Sequence, residues 1–261
     1  MNTDGREEKR QHRARRLSLL RKAWYESRGR FFAALALLAL FVAYSALSGP
    51  QFLEGIAINR PGEPLSYSGY IWVSLFDFYF QGFWIAGAFL LGLGGLCRER
   101  ATGIALFTLS LPVRRWEWLI ARSALAILEA FVIALIPCLL IPPLSGHTGN
   151  SYPPLQAIAF ALFLTVGGLV FVGLSVLLSS LFDGEYTAFV VGMCAIATAF
   201  FAFKARSIHR WSIFDVMSGA RHIDRTTHLI TSVPWLGLTT SVLLTLLLLS
   251  ASVQLISRQD F

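Results

Sequence analysis

The chain has 261 residues, of which 55% are hydrophobic and only 14% charged, where soluble domains carry roughly 25% charged residues. So apolar a composition excludes intrinsic disorder, which needs a polar chain with little surface to bury, and it argues against a soluble globule. The net charge of +7, from 22 Lys and Arg against 15 Asp and Glu, is read as membrane orientation and attraction to anionic lipid rather than as nucleic-acid binding.

The apolar residues come in long blocks rather than at amphipathic spacing. About 20 such residues in a helix cross a bilayer core of roughly 30 Å, and six blocks are long enough: about 31–48, 70–97, 120–141, 155–182, 187–203 and 234–256. No ten-residue alternating segments mark a barrel. The predicted fold is therefore all-α, a polytopic membrane protein with six transmembrane helices. Residues 1–30 form a basic cytoplasmic tail with an interfacial helix, and 31–261 form a single six-span domain. The first block is longer than a signal peptide's apolar stretch and follows a basic region about 30 residues long, so it is read as a retained span.

Residues 1–30 carry ten Lys and Arg. Five more (Arg98, Arg100, Arg114, Arg115 and Arg122) follow the second block, and Arg258 follows the last. Placing these on one side gives 16 of the 22 to the inner face, so the positive-inside rule sets both termini in the cytoplasm of a cell membrane. Of the six dissenting cations, Arg60 lies between the first two blocks and the other five lie in the outer segment from about Lys204 to Val233. Trp24, Trp72, Trp116, Trp118 and Trp235 fall near predicted interfaces, where an amphipathic ring is stable, whereas Trp84 lies inside span two and reads as packing.

Ahead of the first span, Leu17, Leu20 and Trp24 share one helical face, while Arg16, Arg21 and Lys22 can reach phosphates; this pattern predicts an interfacial helix. Between spans two and three, a charged start at Arg98-Glu99-Arg100 leads into Ile104, Leu106, Phe107, Leu109 and Leu111, and ends at Pro112. Such a hydrophobic patch suits a helix docking on a partner or lying on the membrane, and proline ends it.

Glu99-Arg100-x-x-Gly103 followed by Leu109-Ser110-Leu111-Pro112-Val113-x-Arg115 resembles the cytoplasmic loop of type 2, exporter-like permeases of ATP-binding cassette transporters. The basic segment ahead of span one, the six-span layout, Ser218-Gly219 in the outer segment and the closing Ser257-Arg258-Gln259-Asp260-Phe261 are similar too. Family members often have Thr after the glycine and Lys at the later basic position, where this chain has Ile104 and Arg122. The resemblance implies a coupling helix seated in a groove of a separate ATPase subunit, with Glu99, Gly103, Leu109, Leu111, Pro112 and Arg115 at the contact. It also implies a second permease, as homodimer or heterodimer, and ATP and Mg bound by the partner. The chain itself has no G-x-x-x-x-G-K-[S/T] phosphate loop and no long soluble stretch, so it is expected to be a translocation subunit with no cofactor of its own.

Within the spans, Glu129 is costly to insert, by about 2.5 to 3.5 kcal/mol, and is expected to face the bundle interior, a partner or a substrate path. Asp77 and Gln81, one turn apart in span two, are further candidates for that path. Ala88-x-x-x-Gly92, Gly94-Gly95, Gly167-Gly168 and Gly173 suit close helix packing. The three cysteines, Cys97, Cys138 and Cys194, support neither a disulfide framework nor a zinc site. His209, His222 and His228, with Asp215 and Asp224, match no metal-ligand spacing and read as solvated interfacial charge. Two alternatives to transport stand beside it: a membrane scaffold docking through the tail and the Arg98–Trp118 loop, and an intramembrane enzyme using Glu129.

Overall fold

The computed structural model describes residues 4–59, 66–93, 115–182, 184–205, 212–224 and 227–258. They form α1 (Asp4–Asn59), α2 (Tyr67–Ile71), a π-helical stretch (Trp72–Phe78), α3 (Tyr79–Gly92), α4 (Arg115–Ala134), α5 (Ile136–His147), α6 (Pro154–Leu181), α7 (Glu185–Ala205), α8 (Ile213–Ser218) and α9 (Trp235–Arg258). Six stretches are long and apolar enough to cross a membrane: Ser18–Glu54, Tyr67–Gly92, Trp116–His147, Pro154–Leu181, Glu185–Phe203 and Trp235–Ser257. These match the six blocks of the sequence, with the ends moved by several residues, and are called spans one to six.

Three of the spans depart from simple rods. The predicted interfacial helix is not set off from span one: α1 runs unbroken for 56 residues, about 84 Å, so no break in the helix separates the basic segment from the membrane helix. Span two contains the π stretch in its first half. Span three is broken at Leu135 between α4 and α5, because Pro137 has no N–H to give the preceding turn.

Span four is the central element, contacting spans two, three, five and six and the short helix α8. Pro153 and Pro154 start it, as suits a residue pair that has no helical donor to lose at a first turn. Phe76 of span two stacks on Phe160 of span four with ring centroids 4.5 Å apart. In lipid no hydrophobic force separates a buried from an exposed Leu, so close packing and interhelical hydrogen bonds hold such a bundle. The glycines serve this: a Cβ at Gly168 would collide with the Trp84 ring, and one at Gly173 would press on Thr245 and Leu248 of span six. Trp84 is 1% exposed and its indole N–H donates to Ala130 O at 2.9 Å, the packing role its position suggested. Ser241 of span six donates to Gly167 O at 2.6 Å.

Taking the near end as the one where span one enters, spans two and four end there and spans three and five begin there. At the far end, Tyr67 and Tyr70 hydroxyls donate to Ala46 O and Ser45 O of span one. A short antiparallel bridge, Ile223 with Ile230, closes the turn that leads from α8 to span six.

Candidate functional site

Two polar clusters interrupt this apolar bundle, one at each end. At the far end, Ser212 caps α8 by accepting from Asp215 N–H at 3.4 Å, and Gly219 ends the helix in the left-handed region (φ 65°), a conformation glycine adopts without steric cost. The short helix is pinned to span two twice. Trp72 Nε1–H donates to Ser218 O at 2.9 Å and Gln81 Nε2–H to Phe214 O at 2.8 Å. Between them, Asp77, Gln81, Ser212 and Asp215 border a cavity of about 150 Å³ with Phe78, Phe200, Phe203 and Phe214. Phe78, Gln81, Phe200 and Phe214 also belong to an adjoining apolar groove of about 460 Å³ between spans two and five. The arrangement offers acceptor oxygens beside an aromatic slot, suited to a molecule with a polar and an apolar part.

The structure therefore brings the predicted Asp77 and Gln81 together and adds Asp215, which ion-pairs with Arg221 at 3.6 Å. Sequence reasoning had placed Asp215 only among interfacial charges. The other members of that group scatter: the His228 ring lies tilted against Trp72 with centroids 5.6 Å apart, His222 Nδ1 bonds Ser232 Oγ at 2.7 Å, and Asp224 accepts from Thr227 in a tight turn. Among the described residues no three His, Cys, Asp or Glu come together as a metal site. His209 lies outside them.

Glu129 is not part of this cavity. It is 2% exposed and accepts a short hydrogen bond from Ser27 of span one, within a second polar cluster at the near end. There Arg30 Nη1 donates to Leu90 O at 3.3 Å and Leu93 O at 3.1 Å, and Arg122 Nη2 donates to Leu93 O at 2.9 Å. Arg122 is paired with Glu26 at 2.9 Å and lies over the Trp118 ring at 5.9 Å; Arg30 is ion-paired with Glu185. Two guanidinium groups thus satisfy two carbonyls, Leu90 O and Leu93 O, at the end of span two, where the helix dipole is negative. Sequence reasoning used Arg30 as a topology charge, and Arg122 as a topology charge and as the later basic position of the resemblance. Glu26 and Arg30, four residues apart on α1, were the available signal that one face of the helix carries buried polar contacts.

Of the residues predicted to contact an ATPase, Glu99, Gly103, Leu109, Leu111 and Pro112 lie outside the described residues, as does the side chain of Arg115, whose backbone opens α4. Cys97 is also outside them, and Cys138 and Cys194 are free thiols.

Comparison with known proteins gives no match, whether to family models, to curated proteins or to solved structures.

Proposed function

We propose that this chain is the membrane-spanning permease subunit of an ATP-driven transporter of the ATP-binding cassette, exporter-like class. It pairs with a second permease, identical or similar, and takes energy from a separate ATPase chain docked on the 94–114 segment. The observation that carries the transport reading is the far-end cavity, where Asp77, Gln81 and Asp215 gather beside an apolar groove. Polar groups inside a membrane bundle are costly, and they mark substrate or ion pathways. The ATP-driven reading rests on the Glu99-to-Arg115 loop and its resemblance. Glu129 does not favour the enzyme alternative: its described bond is to Ser27, and it borders neither the cavity nor the groove.

The test is purification from native membranes in mild detergent, with identification of co-purifying chains and an ATP hydrolysis assay. An ATPase at equal stoichiometry, lost when Leu109 and Leu111 are both replaced by Asp, is the expected result. An intact, folded protein with no ATPase partner overturns the reading.

A further inference from the structure

A helix leaves its last four carbonyls without intrahelical donors. In span two, Phe89 O is satisfied by the backbone N–H of Leu93 at 3.0 Å, whereas Leu90 O and Leu93 O take side chains from other spans: Arg30 from span one and Arg122 from span three. Leu93 is the last described residue before the 94–114 segment. Arg122 lies about two turns into α4, so one guanidinium joins the end of span two to the start of span three. Arg30 joins the same exit to Glu185, the first residue of α7.

The two cations differ in what their release would entail. The Arg122 side chain is 7% exposed, and a buried charge stripped of its partner is strongly destabilising. The Arg30 and Glu185 side chains are 24% and 22% exposed, and a partly exposed pair regains water when it opens, so it contributes little to stability. Span five, which Glu185 starts, is also the least embedded of the six spans in the rest of the bundle. One junction therefore combines a bond that stays and a bond that can open, with the more loosely held helix on the second.

We propose that Arg122 with Glu26 is a fixed pivot and Arg30 with Glu185 a releasable latch, and that a shift at the near end of span two reaches span five when the latch opens. The inference rests on the transporter reading and names the positioning residues for its energy transfer. Opening frees Glu185 to water and swings the near end of span five away from span one, while Arg122 keeps spans one, two and three together. Because the aromatic wall of the groove includes Phe200 of span five, the same motion reshapes the far-end groove.

Spin labels at Gly29→Cys, where no neighbouring atom lies within 4 Å of the added carbon, and at Tyr186→Cys, 87% exposed, measure the latch. The three native cysteines are replaced, and the complex with its co-purified ATPase is held in lipid nanodiscs. Trapping with ATP, Mg and vanadate is expected to lengthen the 29–186 distance by about 2 Å or more, the scale of interfacial helix shifts. Glu185→Gln is expected to give the longer distance without nucleotide, and Arg30→Lys, which keeps the charge, to retain the short one. Arg30→Gln supplies the same readout should Glu185→Gln fail to insert. A pair that only stabilises the fold would leave the distance unmoved by nucleotide. That result, in a complex that hydrolyses ATP, overturns the latch and leaves the transporter reading standing. If no ATPase accompanies the chain, the reading fails and the latch falls with it.

Discussion

Trp72 and Gln81, nine residues apart on span two, both donate hydrogen bonds to the short helix α8. Nine residues are about two and a half turns of a regular α-helix, which would set the two side chains on opposite faces. The intervening π-helical stretch, Trp72–Phe78, has wider turns closed by i→i+5 bonds, and this brings both donors to one side. The distortion of span two thus positions the far-end cavity, because α8 carries the Ser212, Phe214 and Asp215 part of its wall.

Removing one of these two pins is expected to loosen α8 without unfolding the bundle. Gln81→Leu leaves Phe214 O without its donor, and a lost hydrogen bond of this kind contributes about 1 kcal/mol. Hydrogen exchange of the amides in 213–220 should rise roughly fivefold, as about 1 kcal/mol implies, while the amides of span four stay protected. Unchanged exchange in α8 would show that Gln81 does not hold it.

At the near end, Arg122→Leu is expected to destabilise the protein by about 1 to 3 kcal/mol, since it takes from Leu93 O one of its two guanidinium donors and leaves Glu26 only the longer pair with Lys22. Arg122→Lys retains a charge and restores part of the loss, though a single ammonium cannot reproduce the two-pronged contact. Thermal unfolding in detergent, compared among the three proteins, checks the order. Equal stability of the Leu and Arg forms would remove the pivot.

Glu129 bonds Ser27 rather than lining the cavity, so Glu129→Gln, which keeps an acceptor, is expected to change stability by less than about 1 kcal/mol. Glu129→Leu removes the link between spans one and three and leaves the Ser27 hydroxyl only Trp24 O at 3.4 Å, which costs about 1 kcal/mol. Any transport activity should follow stability in both variants. Loss of transport by Glu129→Gln in a fully stable protein would instead place this carboxyl on the substrate path.

Close helix packing gives a contrast between glycines. Gly168→Val drives a side chain into the Trp84 ring, which is locked by its bond to Ala130 O; overpacking of this kind costs about 1 to 3 kcal/mol. Gly146→Ala, with no atom within 4 Å of the added carbon, is expected to be neutral or slightly stabilising. Melting curves of the two variants that coincide would refute the contact.

Ser241→Ala tests the polar link between spans four and six. Its hydroxyl donates to Gly167 O across the interface, and such bonds within membranes contribute about 0.6 kcal/mol on average and up to about 1.7. A loss in that range by unfolding in mixed detergent is expected; none at all would assign the hold between these spans to packing alone.

Six spans were legible in the sequence because length and hydropathy act locally: about twenty apolar residues in lipid must form a helix to satisfy their own backbone. The role of Trp84 and the packing use of Gly168 followed from residue chemistry in the same way. The continuity of α1 past residue 30 did not, because an amphipathic stripe is equally compatible with a helix in the interface and with one that runs on into a span. Nor did the separation of Asp77 and Gln81 from Glu129. A charge within an apolar block states that a partner exists, and only the bundle's packing names it.

What the sequence determined by itself was thus the all-helical class and the six helices long and apolar enough to cross a membrane, since both follow from short-range chemistry along one chain. Only the tertiary structure decided which buried polar groups meet. Arg30 reaches Leu90 and Leu93 some sixty residues away and pairs with Glu185, and Gln81 reaches Phe214. These contacts depend on the order and rotation of packed helices, including a widened turn in span two, and no periodicity in the sequence encodes a rotation that arises where one helix meets another.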